Sequence, residues 1–107
     1  MSSVSAIVVL TTVESEDAGE NLARKIVESK LAACVQVLPP IKSFYFWAGA
    51  VQTDAENLLL IKTLPEKYDE LEKFIQEHHC YDVPEIVALD AAKVSADYLD
   101  WMKNYLV

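Results

Sequence analysis

Glycine and cysteine are scarce in this chain of 107 residues, two of each, and cations are outnumbered: nine Lys and Arg stand against seventeen Asp and Glu. Each shortage removes a class of function. With Gly19 and Gly49 alone, the chain has no glycine-rich loop to cradle a phosphate and no dinucleotide-binding turn. Cys34 and Cys80 lie far apart and make no disulfide framework, and no cysteine-rich zinc motif is present. The net charge of −8 lacks the basic footprint that nucleic acid demands, and it disfavours anionic membranes. No apolar run is long enough to cross a bilayer. The N-terminal stretch MSSVSAIVVLTT has neither the basic start nor the long apolar run of a secretory leader, and no Asn-x-Ser/Thr acceptor occurs. These absences point to a cytoplasmic protein in a reducing compartment, with no nucleic-acid or membrane partner.

What is plentiful is apolar surface, 52% of residues. One small domain cannot hide that much from water, because its surface-to-volume ratio is high. Burial between subunits would solve the problem, so the composition predicts an oligomer of a single domain spanning residues 1–107.

The pattern along the chain gives the elements. AIVVLTT (6–12) is a β-branched run that reads as a strand covered on both faces. Ser15 can cap a helix running from 16 to about 30, with Ala18, Leu22, Ile26 and Val27 at helical spacing. LAACVQVL starts a second strand, which Pro39 and Pro40 interrupt before IKSFYFW resumes it. Ala48 and Gly49 make a tight turn, and AVQTDAENLLLIKT returns as a third strand, completing a long hairpin. Phe44, Tyr45, Phe46 and Trp47 put large rings on both faces of that hairpin. One face needs a cover from outside the chain, which again predicts a partner subunit. Thr63 and Glu66 fit a capping box, with Pro65 in the first turn of a helix. Tyr68, Leu71, Phe74, Ile75 and His78 form its stripe. VPEIVAL (83–89) reads as a fourth strand. Ser95 caps a last helix whose apolar face holds Tyr98, Trp101 or Met102, and Tyr105. The order β-α-β-β-α-β plus a final helix predicts an α+β fold, a ferredoxin-like βαββαβ sandwich with a long hairpin between its second and third predicted strands and an extra C-terminal helix. Right-handed crossovers put both long helices on one sheet face and leave the other bare.

KLAACVQVLP, SFYFWAG, LLLIKT, HHCYDVPEIVAL and DYLDWM, in this order over almost the whole chain, resemble the CutA divalent-cation-tolerance family. The resemblance implies a compact homotrimer, similar in architecture to the PII nitrogen-regulatory proteins, and a link to copper and other divalent metals without an assigned catalytic reaction. The sequence departs from the family pattern at Cys80, where proline is usual, and at Ala48 and Ala50, where an acidic and a basic residue are common. Thr11 stands where some members carry a cysteine proposed as a metal ligand.

Candidate sites follow. HHCYDVPE (78–85) sets His78, His79 and Cys80 side by side, a donor set suited to copper or another divalent metal. Neighbouring side chains diverge, so such a site needs ligands from elsewhere or from symmetry copies. The structural alternative has His78 packing on the helix stripe and His79 as a cationic imidazole favoured at the helix C-terminus. At positions that match the family, Cys34, Trp47, Lys62, Tyr81 and Glu85 are expected to line an intersubunit cleft. There Lys62 and Glu85 would either pair as a structural ion pair or hold a small ligand. Asp54 and Glu56 share one face of the third strand and could take a hard cation, or simply face solvent. The leading expectation is a trimeric metal-binding protein without catalysis, concerned with metal tolerance. The alternatives are a PII-like scaffold that binds an effector or a partner protein, and an enzyme using Lys62, Tyr81 and Glu85.

Overall fold

In the computed structural model, which describes residues 4–107, the β-branched run forms strand β1 (Ile7–Val13). Residues 1–3, the start of the stretch read above for a leader, lie outside the described residues. Helix α1 (Glu16–Glu28) begins at Ser15, whose Oγ accepts the Ala18 N–H at 3.1 Å, and Glu16 and Asp17 sit in its first turn where the dipole favours acids. Gly19 lets α1 lie close on the sheet: a Cβ there would come 3.1 Å from Val37 Cγ1 and 3.3 Å from Val13 Cγ2.

The predicted second strand is two strands, β2 (Cys34–Val37) and β3 (Ile41–Trp47), separated at Pro39 and Pro40. It begins later than expected, because Leu31, Ala32 and Ala33 are buried in the connection from α1. Strand β4 (Ala50–Thr63) pairs with both pieces, β3 along its first half and β2 along its second. Ala48 and Gly49 both have positive φ, 54° and 81°, which is the backbone a two-residue hairpin turn requires. Strand β5 (Val87–Asp90) is shorter than the predicted 83–89, since residues 83–86 remain in the loop before it. The result is a five-stranded antiparallel sheet in the order β2-β4-β1-β5, with β3 extending beyond it on β4.

The predicted capping box at Thr63 and Glu66 does not form. Thr63 is buried and its hydroxyl donates to the Leu31 carbonyl at 2.7 Å, so a short 3-10 turn over Pro65–Lys67 precedes helix α2 (Tyr68–His78) without a side-chain cap. Helix α3 (Ala96–Leu106) starts at Ser95 as expected, and of the two alternatives Met102 is buried while Trp101 stays half exposed. It crosses one end of the sheet over Ala6, Ala33 and Leu64.

Residues opposite one another in an antiparallel ladder share a face. Ile7, Val9, Leu59 and Ile61 therefore face the same way, and they pack with Leu22 and Ile26 of α1 and Leu71 and Ile75 of α2 in one core. The other face carries Val8, Leu10, Leu58, Leu60, Val87 and Leu89. The expectation that β1 is covered on both faces fails within one chain: Val8 and Leu10 are half-buried, and Val87 and Leu89 are 47% and 50% exposed.

Candidate functional site

The segment after α2 wraps round the end of β1 and is held by four side-chain bonds. At His79 the backbone turns extended and the helix stops. Its imidazole bonds the Thr12 carbonyl through Nε2 at 2.6 Å, and its Nδ1 accepts the Tyr81 N–H at 3.1 Å. A ring that donates at Nε2 and accepts at Nδ1 is the neutral tautomer, which replaces the cationic helix-end imidazole expected from the sequence. His78 diverges from it, as neighbouring residues must. It is exposed, stacks on Phe74 with centroids 4.0 Å apart, and its Nδ1 bonds the Phe74 carbonyl at 2.8 Å.

The Cys80 thiol donates to Glu14 Oε2 at 2.7 Å. The two groups shift each other in opposite directions. That bond, with help from the backbone N–H of Glu14, holds the Glu14 carboxyl below its usual range, while the same carboxylate pushes the Cys80 thiol up. Tyr81 reaches across to β4, where its hydroxyl donates to Glu56 Oε1 at 3.0 Å. Burial, then the bond to Glu56 and its charge, push the Tyr81 phenol well above the ordinary tyrosine range, so it remains a donor.

These bonds shape an open cleft of about 780 Å³ between the loop and the hairpin. Ser43, Tyr45, Trp47, Asp54 and Glu56 enter it from one face of β3 and β4, and Cys80–Glu85 enter from the loop. Tyr45 donates a hydrogen bond to Asp54. The expected site residues thus divide into two groups. Trp47, Cys80, Tyr81 and Glu85 line this cleft. Lys62 lies six residues along β4 from Glu56, about 20 Å at strand rise, opposite Val8 and Cys34. Its ammonium sits 5.8 Å from the centre of the Tyr98 ring, whose phenol is raised by burial and by the neighbouring Cys34. Cys34 and Lys62 do not line the cleft of their own chain.

As a metal centre, the His78–His79–Cys80 triplet does not close within one chain. Both ring nitrogens of His79 are engaged, His78 points away, and the Cys80 thiol holds a proton that a metal would have to displace. Among the described residues, no three His, Cys, Asp or Glu side chains are placed to hold one ion. Thr11, at the position where some members of the resembled family carry cysteine, is fully buried on the helix-covered face, opposite Leu59.

The model of the CutA1 divalent ion tolerance protein family matches residues 7–105. The chain belongs to that family. Among its relatives are the chloroplastic Protein CutA 1 of Oryza sativa, 48% identical over 101 residues, and the divalent-cation tolerance protein CutA of Thermus thermophilus, 45% identical over 97 residues. The alignments take in 94% of this chain and 57% of the rice protein, and 91% of this chain and 94% of the Thermus protein. The chain thus spans little more than half the length of the plant relative. The crystal structure of CutA1 from Oryza sativa superposes with a TM-score of 0.92 at 48% identity, covering 95% of this chain and 94% of that one. CutA from Synechococcus elongatus does so with 0.93 at 36%, covering 100% and 95%.

One residue of the site escapes a reading of the sequence, and another is read only in part. Glu56 reads, with Asp54, as a hard-cation ligand or a solvated strand carboxylate, yet it is only 8% exposed beneath Tyr81. Glu14 lies 66 residues before its partner Cys80. The one available signal was the phase of β4, which puts Glu56 on the same face as Leu58 and Leu60.

Proposed function

We propose that this CutA family chain acts as a homotrimer of ferredoxin-like subunits in divalent-metal tolerance, by binding ions rather than by catalysis. The uncovered sheet face carries this reading: six aliphatic side chains from β1, β4 and β5, with no helix over them, form a surface that only another subunit can remove from water. At about 25 cal/mol per Å² of apolar area, covering it would add substantially to stability. Light scattering and native mass spectrometry of the wild type should return three chains, and Leu60→Asp should return one. A folded monomeric wild type would defeat the assembly.

Divalent ions, copper among them, meet this protein at the corner formed by Cys80 and Glu14. His78 points away from this corner, so the remaining ligands come from a second copy. Soft ions favour thiolate and imidazole, and because the thiol must lose its proton to bind, uptake rises with pH. Titration calorimetry of Cu(II) and Zn(II) into reduced protein should show most uptake lost in Cys80→Ser and little lost in His79→Ala. Equal uptake by wild type and Cys80→Ser would remove this assignment. A second reading, docking of a partner protein by the hairpin, is favoured by the exposure of Phe44, Phe46 and Val51 at its end. Pull-down with the tip shortened separates the two, since ion uptake at Cys80 survives that change.

A further inference from the structure

Strand β4 changes neighbours around a single residue. Its ladder with β1 ends at Asn57, opposite Val13. Its ladder with β2 ends at Leu59, opposite Val37, and Leu38 adds one more bond, its N–H donating to the Leu58 carbonyl at 2.9 Å. Its ladder with β3 begins at Glu56, opposite Ile41. Two residues, Pro39 and Pro40, therefore stand against one, Asn57. That arrangement is a β-bulge, which bends its strand and increases the local twist. Prolines are tolerated there because the bulge asks for no ladder donor.

The extra residue also reverses the alternation of side chains. On β2, the odd-numbered Val35 and Val37 pack toward the helices. On β3, the odd-numbered Tyr45 and Trp47 lie on the opposite face, with Asp54 and Glu56. An uninterrupted strand would put Phe44 and Phe46 there instead. The bulge is closed by a side chain from the facing strand. Asn57 is 4% exposed, and its Nδ2 donates to the Leu38 carbonyl at 3.1 Å. Beyond this point β3 is, among the described residues, the one strand that pairs with β4, so residues 41–56 project as a two-stranded ribbon. A ribbon with no third strand beside it takes its direction from its joint. We infer that the hairpin is an arm jointed to the sheet at Pro39 and Pro40, and that Asn57 is the positioning residue that fixes its angle. That angle decides how Tyr45 and Trp47 stand against the 80–85 loop. Tyr81 braces the base of the arm from the loop side, through its bond to Glu56.

Residual dipolar couplings on isotope-labelled full-length protein in its native assembly measure the angle. In the wild type a single alignment should fit residues 41–56 together with β1 and residues 58–63. Asn57→Asp keeps the side-chain shape and loses the donor, and Asn57→Ala removes both. In each variant the couplings within 41–56 should still fit the hairpin's own geometry but should no longer share the alignment of the sheet. The Trp47 indole resonance should move, while that of Trp101 on α3 stays put. A merely structural role for Asn57 would lower stability and leave the common alignment intact. Should both variants fail to fold, Pro39→Ala with Pro40→Ala, at two exposed positions, releases the fixed backbone of the joint without touching the core and should part the two alignments in the same way. The inference falls if the common alignment survives in the variants that fold, as it would if a second copy held the arm. It falls equally if the wild type already shows two alignments, or if the variants lose the hairpin's own pairing, since Asn57 then maintains the ribbon and does not aim it.

Discussion

Strands β1 and β4 each present two faces built from much the same residues, and the two faces behave differently. On one, Val9, Leu59 and Ile61 have no exposed surface, since α1 and α2 lie over them. On the other, Val8, Leu10, Leu58 and Leu60 are only half-buried, although they are as apolar and sit one residue away. What separates them is connectivity: both crossovers deposit their helices on the same side, so parity along a strand decides whether a side chain is core or interface. The lesson extends along β4 into the hairpin, where the covered side runs out and Phe46 is 72% exposed.

The sharpest way to break this comparison is to truncate one residue from each face. Ile61→Ala should cost about 2–5 kcal/mol, because it removes transfer energy and leaves a cavity in a packed interior. Leu60→Ala should cost much less within a chain and should instead show a dependence on protein concentration, as assembly contributes its stability. Urea unfolding at two protein concentrations measures both. Equal, concentration-independent losses would mean that the two faces are not different.

The next effect belongs to the uncovered side. Tyr81→Phe removes the one hydroxyl that, among the described residues, reaches Glu56 and leaves a buried carboxylate without that donor, at a cost of about 1–3 kcal/mol. The pH dependence follows from the raised phenol. The folded form favours the protonated ring, so this stabilisation is complete below the ordinary tyrosine pKa of 10.0 and is lost as pH rises through the higher folded value. In an alkaline titration followed by phenolate absorbance, Tyr81 should ionise after the more exposed tyrosines. Glu56→Gln should bring it only part of the way down, because burial is the larger cause and remains.

Much of this arrangement is legible in the chain itself. The β-branched run of β1, Ser15 and Ser95 before their helices, and Ala48-Gly49 between two strands are local signals with local causes, and each fell close to its predicted place. Where reading failed, the cause was a contact distant in sequence. Thr63 looks like a cap because Glu66 follows it, but its hydroxyl is taken by Leu31, 32 residues earlier. Residues 83–86 look like a strand because Val83 and Ile86 run on into the apolar Val87–Leu89, but the loop that His79 and Tyr81 tie to β1 and β4 ends only at Val87. The site was half legible for the same reason. Trp47, Tyr81 and Glu85 do share a cleft, and Cys34 and Lys62 stand elsewhere in the same chain.

The smallest of these effects has the opposite sign and lies on the covered face. Thr11 is fully buried opposite Leu59, and its hydroxyl has no hydrogen-bond partner among the described residues. Such a group loses water on folding and gains nothing in return, so an isosteric methyl should be preferred. Thr11→Val should therefore stabilise the protein by about 1 kcal/mol, raising the urea midpoint with no change in slope. Thr12, next along the strand and on the other face, has no equivalent orphaned oxygen, and Thr12→Val should not share the gain. If both substitutions stabilise equally, strand propensity and not the missing partner is the cause, and the two faces of β1 are less distinct than their burial implies.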